Sequence, residues 1–210
     1  MIYNWCYVIV TPIFLKQNHN KGGKYMAKFT KKAIIYEFMS ILEVKSLDKI
    51  TVKDICERCE INRNTFYYYF EDIYDVLNAV FEMEKESVLD EIKDNSSFMD
   101  EYRRSASIIM NYKKAVIHIY QSKRGDILRN YLEAVIKDFV GRAVEEAAEG
   151  YRLNEEDIRY ITNFYAYAIS GSTMRWIENG LPPYSDKLLL RVTRSFDATI
   201  QDLIEMCMDK

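Results

Sequence analysis

The chain has 210 residues, 49% of them apolar or aromatic, only three prolines, and a formal net charge of −3. That length buries a sizeable core in one or two domains, and the apolar share with so few prolines predicts a mostly helical protein. A slightly acidic balance excludes a general polyanion binder, and four cysteines (Cys6, Cys56, Cys59 and Cys207) without a paired framework point to a reducing compartment, the cytoplasm.

Residues 1–25 differ in character from the rest of the chain. The apolar run Ile2 to Leu15 is too short to span a bilayer, and it lacks the basic start and small-residue cleavage site of a signal peptide. This segment is expected to be a leader or a disordered arm. Lys21-Gly22-Gly23 is compatible with codons that read as a ribosome-binding sequence just before Met26, which would then be the native start. From Lys28 to Val44 the residues Ile34, Ile35, Phe38, Met39, Ile41 and Leu42 form a broad apolar face, predicting a first helix with Lys28, Lys31 and Lys32 ahead of it.

Next comes TVKDICERCEINRNTFYYYF, Thr51 to Phe70. Thr51 followed three residues later by Asp54 is an N-cap signal, and Ile55 and Cys59 keep helical spacing. Glu60-Ile61 breaks the pattern, and Asn62 caps a second short helix through Arg63, Asn64 and Thr65. On it Phe66 and Phe70 share one side while Arg63, Asn64, Tyr67 and Tyr68 point elsewhere. Helices this short need a neighbour to be stable, and a helix led by long polar donors with its apolar side behind it suits a helix-turn-helix reading the major groove. Between Lys24 and Phe70 nine Lys/Arg stand against six Asp/Glu, whereas the rest of the chain after Phe70 is acidic. A mildly basic head on an acidic body offers DNA one face only, although uneven surface charge alone would give the same count.

These residues resemble the DNA-binding domain of the TetR/AcrR transcriptional regulators. The match rests on Thr51, Val52, Asp54, Ile55, Ile61, Asn62, Thr65, Phe66, Tyr67, Tyr69 and Phe70, continued by Tyr74, Asp75 and Leu77. The later stretch FYAYAISGSTMRWIENG, Phe164 to Gly180, is similar to regulators grouped with the activator of dihydroxyacetone kinase operons. The resemblance implies an all-α fold: a three-helix helix-turn-helix domain (26–73) and a helical effector-binding and dimerisation domain (74–210), about nine helices in all. It also implies a homodimer on a palindromic double-stranded operator, controlled by a small-molecule effector or a partner protein. Two positions depart from the family pattern: Glu60 stands where glycine is usual, and Ile73 where a phosphate-touching lysine is usual.

Beyond the head the periodicity predicts helices from Ile73 to about Lys93, one or two over Phe98 to Tyr120 after a break at Asn95-Ser96-Ser97, then Lys123 to Glu149, Glu155 to Asn179 capped by Asn154, and about Asp186 to Met208 capped by Ser185. No span fits a membrane.

Candidate DNA contacts are Arg63, Asn64 and Thr65 to base edges, since Arg fits guanine and Asn fits adenine in bidentate fashion. Tyr67, Tyr68 and Tyr69 would reach phosphate or a thymine methyl, with Tyr69 able to face inward instead. Thr51 and Lys53 would hold the backbone. Candidate effector residues are Tyr112, His118, Tyr131, Tyr165 and Trp176, within a wider aromatic set that includes Tyr120, Phe139 and Tyr167, although a lone histidine on an apolar stretch and aromatics at helical spacing are more often core. A dimer face is expected from Phe164, Ala168, Gly171 and Ser172 on one helix and Val192, Phe196 and Ile200 on the next, unless that stripe is core of a single chain. Cys56-x-x-Cys59 lies within a helix without a second cysteine pair, so packing rather than zinc or redox chemistry is expected. No phosphate loop, nucleophile elbow or metalloprotease motif is present; no cofactor and no catalysis are expected. The competing class is a helical interaction module that has lost specific DNA binding.

Overall fold

The computed structural model describes residues 24–91, 98–183 and 186–208. Expectations for residues 1–23, for the break at 95–97 and for the Ser185 cap lie outside the described residues. Among those described there are nine α-helices and no strand: α1 Lys24–Leu42, α2 Val52–Arg58, α3 Arg63–Tyr69, α4 Ile73–Glu91, α5 Phe98–Asn111, α6 Lys113–Tyr120, α7 Gly125–Ala147, α8 Glu155–Glu178 and α9 Asp186–Met208, with a single 3₁₀ turn at Leu47–Lys49. The all-α expectation holds. The chain divides into two compact units, one ending at Glu84 and one beginning at Lys85.

The first unit is assembled around two phenylalanines. Phe66 and Phe70 are buried together with Ile34, Phe38, Leu42, Leu47 and Ile55, and their rings lie 6.0 Å apart. Burying a side chain of this size contributes about 1.5–3 kcal/mol, which two-turn helices need because they cannot persist alone. The ammonium of Lys31 on α1 sits 5.4 Å from the centre of the Phe70 ring. Arg58 closes α2 onto α1, donating to Ser40 Oγ at 3.2 Å and pairing with Glu37 at 3.6 Å.

The second unit is built on α7 and α8, against which α5, α6 and α9 pack. Gly141 on α7 faces Thr162 on α8, where a Cβ would meet the Thr162 methyl at 3.7 Å, an ordinary contact. An aromatic cluster fixes α9: Phe196 stacks on Phe98 at 4.6 Å and meets Tyr165 edge-on at 4.8 Å. The region expected as one or two helices is two, broken at Tyr112. The short link into α7 depends on Gly125, where a Cβ would fall 2.5 Å from the Tyr120 carbonyl oxygen.

Candidate nucleic-acid interface

The helix-turn-helix is held by its caps. Thr51 and Asp54 form a reciprocal capping box at the start of α2: Asp54 N donates to Thr51 Oγ1 at 3.2 Å, and Thr51 N donates to Asp54 Oδ2 at 2.8 Å. Lys45 also donates to that oxygen, at 2.7 Å. The Lys45 bond, then that of the Thr51 hydroxyl, pulls the Asp54 carboxyl down from its ordinary 3.8 to about 2. The sequence gives no sign of the Lys45 contact, because no local spacing connects that residue with Asp54. At the start of α3, Asn62 Oδ1 accepts from Thr65 N at 2.8 Å, the cap that the sequence predicts.

Between the two helices the chain turns through Glu60, whose φ is +52°, and Ile61 N donates to Cys56 O at 3.0 Å. This is the Schellman way of ending a helix, in which the left-handed residue is ordinarily glycine. Glu60 therefore holds a strained backbone in a place where an unstrained residue is available.

The side chains of α3 part as an amphipathic reader requires. Phe66 is fully buried, while Arg63, Asn64, Tyr67 and Tyr68 are exposed and Thr65 and Tyr69 are half-buried. Tyr68 is the most open, at 78% exposure against 55% for Tyr67, and it stands edge-on against Tyr69 at 4.9 Å. Lys53 is exposed and pairs only at 3.6 Å with Glu57, so its ammonium is available to a phosphate. The Thr51 hydroxyl donates to Asp54 at 2.7 Å and is thereby committed to the cap. Likewise Asp72 Oδ1 takes up Tyr74 N at 2.8 Å and Asp75 N at 2.9 Å, donors that the start of α4 would otherwise offer to an anion. The spacing of Asp72 and Asp75 carried this signal in the sequence.

The cysteine pair lies at the packed end of α2. Cys56 is buried and Cys59 half-buried, both as free thiols. Burial pushes the Cys59 thiol up to about 11 and raises Cys56 in the same direction. Among the described residues no group of three or more His, Cys, Asp or Glu could hold a metal ion.

In the second unit the candidate effector residues spread over three helices. Tyr112 and His118 are half-buried at the two ends of α6, Tyr131 is half-buried on α7, and Tyr165 and Trp176 are buried on α8. The last two have structural duties. The Tyr165 hydroxyl meets Thr199 Oγ1 at 2.8 Å, and the Trp176 indole donates to Pro182 O at 2.9 Å. That bond, with Lys113 donating to Leu181 O at 2.7 Å, fixes a loop in which Gly180 and the buried Leu181 both take positive φ.

The expected dimer residues also divide. Phe164, Ala168, Gly171 and Ser172 are exposed on α8, Val192 is half-buried, and Phe196 and Ile200 lie in the core of the unit. Phe196 and Ile200 of the α9 stripe are thus taken up inside one chain. The outer face of α8 instead carries Tyr160 and Tyr167 beside Phe164, with Tyr167 at 67% exposure.

A capped two-helix motif with an outward polar and aromatic edge, attached to a separate helical unit, defines a helix-turn-helix DNA-binding protein. Residues 34–80 match the family "Bacterial regulatory proteins, tetR family", and residues 102–198 match "Transcriptional regulator C-terminal region". The chain belongs to the TetR family of bacterial transcriptional regulators. It is 28% identical over 80 residues to the uncharacterized HTH-type transcriptional regulator YxbF of Bacillus subtilis (strain 168), a stretch that spans 38% of this chain and 20% of that relative's length. Its fold is similar to that of the dihydroxyacetone kinase operon activator DhaS, with a TM-score of 0.67, 19% identity, and coverage of 83% of this chain and 97% of the other.

Proposed function

We propose that the protein binds a palindromic operator as a homodimer in the cytoplasm, and that an effector or partner acting on its second unit controls that binding. The observation that carries this reading is the partition of α3, with Phe66 in the core and Arg63, Asn64, Tyr67 and Tyr68 exposed. Arg63 and Asn64 read base edges, Thr65 and the two exposed tyrosines add groove and phosphate contacts, Tyr69 supports Tyr68, and Lys53 neutralises a phosphate. Thr51 serves mainly through the cap that orients α2.

Two such heads are needed, spaced by one turn of DNA or a multiple of it. The outer face of α8 supplies the self-complementary patch: Tyr160, Phe164 and Tyr167 are large apolar side chains left exposed, beside the small Ala168, Gly171 and Ser172 that permit close helix approach. Among the described residues no helix is long and apolar enough to cross a membrane. No catalytic role is proposed.

Selection from a random duplex pool tests the reading. Enrichment of an inverted repeat with half-sites about one helical turn apart, about 10 base pairs, is the expected result. A pool that stays random through successive rounds would favour the interaction-module alternative.

A further inference from the structure

We infer that Ser170 and Thr173 are the polar anchors of an internal subsite on α8 for a small uncharged molecule that joins a hydroxyl or carbonyl group to an apolar body. The inference rests on the proposal that the second unit is an effector domain, and it assigns that effector a chemistry.

Each of the two residues is 5% exposed, and neither Ser170 Oγ nor Thr173 Oγ1 has a hydrogen-bond partner. Other hydroxyls on these helices solve the same problem locally, by donating to the carbonyl one turn back. Ser107 donates to Arg103 O at 2.9 Å, Ser172 to Ala168 O at 2.9 Å, Ser195 to Arg191 O at 2.7 Å and Thr199 to Ser195 O at 2.7 Å. Those four residues are exposed to solvent, yet they are paired; Ser170 and Thr173 are deeply buried and are not. A buried hydroxyl left unpaired forfeits the hydrogen bonds it would make in water, so a pair of them is a standing demand for a partner.

Placement makes the demand a shared one. Residues three apart on a helix are neighbours on one face, and Asn163, two turns before Ser170 on that face, also leaves its buried Oδ1 unpaired. The same buried face carries Ile169, Met174 and Ile177, an apolar setting in which methionine adapts to a guest's shape. The charged residues of the last two turns of α8, Arg175 and Glu178, are exposed and bound to each other at 2.7 Å. Neutral donors and acceptors in apolar surroundings recognise an uncharged ligand.

Two measurements on the full-length protein test this. The first is thermal: Ser170→Ala should raise the melting temperature more than the control Ser172→Ala, which makes a similar helix-propensity change at an exposed position. A fall with Ser170→Ala would show that the hydroxyl has a partner after all and overturn the inference. The second is methyl NMR of threonine-labelled protein titrated with acetamide and with 2-propanol, the Thr173 signal assigned by its loss in Thr173→Val. A saturable shift at Thr173, absent at the buried Thr193 and weakened about fivefold by Ser170→Ala, is the expected result. Equal, linear drift at every threonine methyl would overturn the subsite, as would saturation indifferent to Ser170→Ala. Saturation at Thr173 without any change in operator affinity would keep the subsite and contradict the effector reading instead.

Discussion

Arg63 and Lys53 are both exposed cations of the helix-turn-helix, yet they should fail differently when removed. Arg63→Ala should cost about 1–3 kcal/mol at one base position and relax preference there. Lys53→Ala should weaken all duplexes alike and reduce the salt slope by about one. Binding isotherms on single-base operator variants at several salt concentrations distinguish these effects. Glu60 is the residue whose sequence signal and geometry agree most sharply: it replaces the usual glycine and keeps glycine's left-handed backbone, at φ +52°. Glu60→Gly should stabilise the protein by up to about 1 kcal/mol, the relieved strain exceeding the entropy that glycine adds to the unfolded chain. It should also tighten DNA binding by removing a carboxylate. Glu60→Gln should reproduce the affinity gain without the stability gain, which thermal melts and anisotropy together would register.

At the scale of elements, the caps were legible because they depend on residues three apart: Thr51 with Asp54, Asn62 with Thr65, Asn154 with Asp157. The split of α3 into buried and exposed sides followed from its periodicity for the same reason. What the sequence did not reveal depends on distant partners. Lys45 reaches Asp54 from another segment, and the stripe on α9 is claimed by Phe98 and Tyr165 of the same chain before any second copy could use it. One-dimensional spacing cannot tell an inner apolar face from an outer one, which is why Phe196 and Ile200 read equally well as interface.

Because the folded-state pKa of Asp54 is depressed from 3.8 to about 2, its stabilising bonds are fully present above about pH 4 and are lost as pH falls towards 2. Asp54→Asn should therefore be less stable than the parent at neutral pH, with the difference shrinking over that acid window; a constant gap in melts across pH 2–5 would deny the role of the charge. Phe66→Ala, which empties the centre of the first unit, should cost about 3–5 kcal/mol. Its signature in denaturant melts is a lower midpoint, with loss of DNA binding on the same curve.

For the whole molecule, the proposed dimerisation would place two heads on one duplex, with the outer face of α8 as the surface that forms it. Phe164→Glu puts a charge into that patch on both subunits. It should shift sedimentation from dimer to monomer while leaving the helical circular dichroism unchanged, since Phe164 is half exposed and outside the core. Operator binding should then require far higher protein concentrations. A variant that remains dimeric would move the interface elsewhere.

Whether the exposed edge of α3 reads DNA is decided by fluorescence anisotropy. The intact protein would be titrated onto DNA from upstream of its own gene and onto a scrambled duplex, at two salt concentrations, alongside Arg63→Ala. The expected result is sequence-preferring binding that weakens steeply with salt, and a preference that Arg63→Ala erodes. Equal, weak binding of both duplexes to the parent protein, unchanged by Arg63→Ala, would contradict the assignment of α3 as reader.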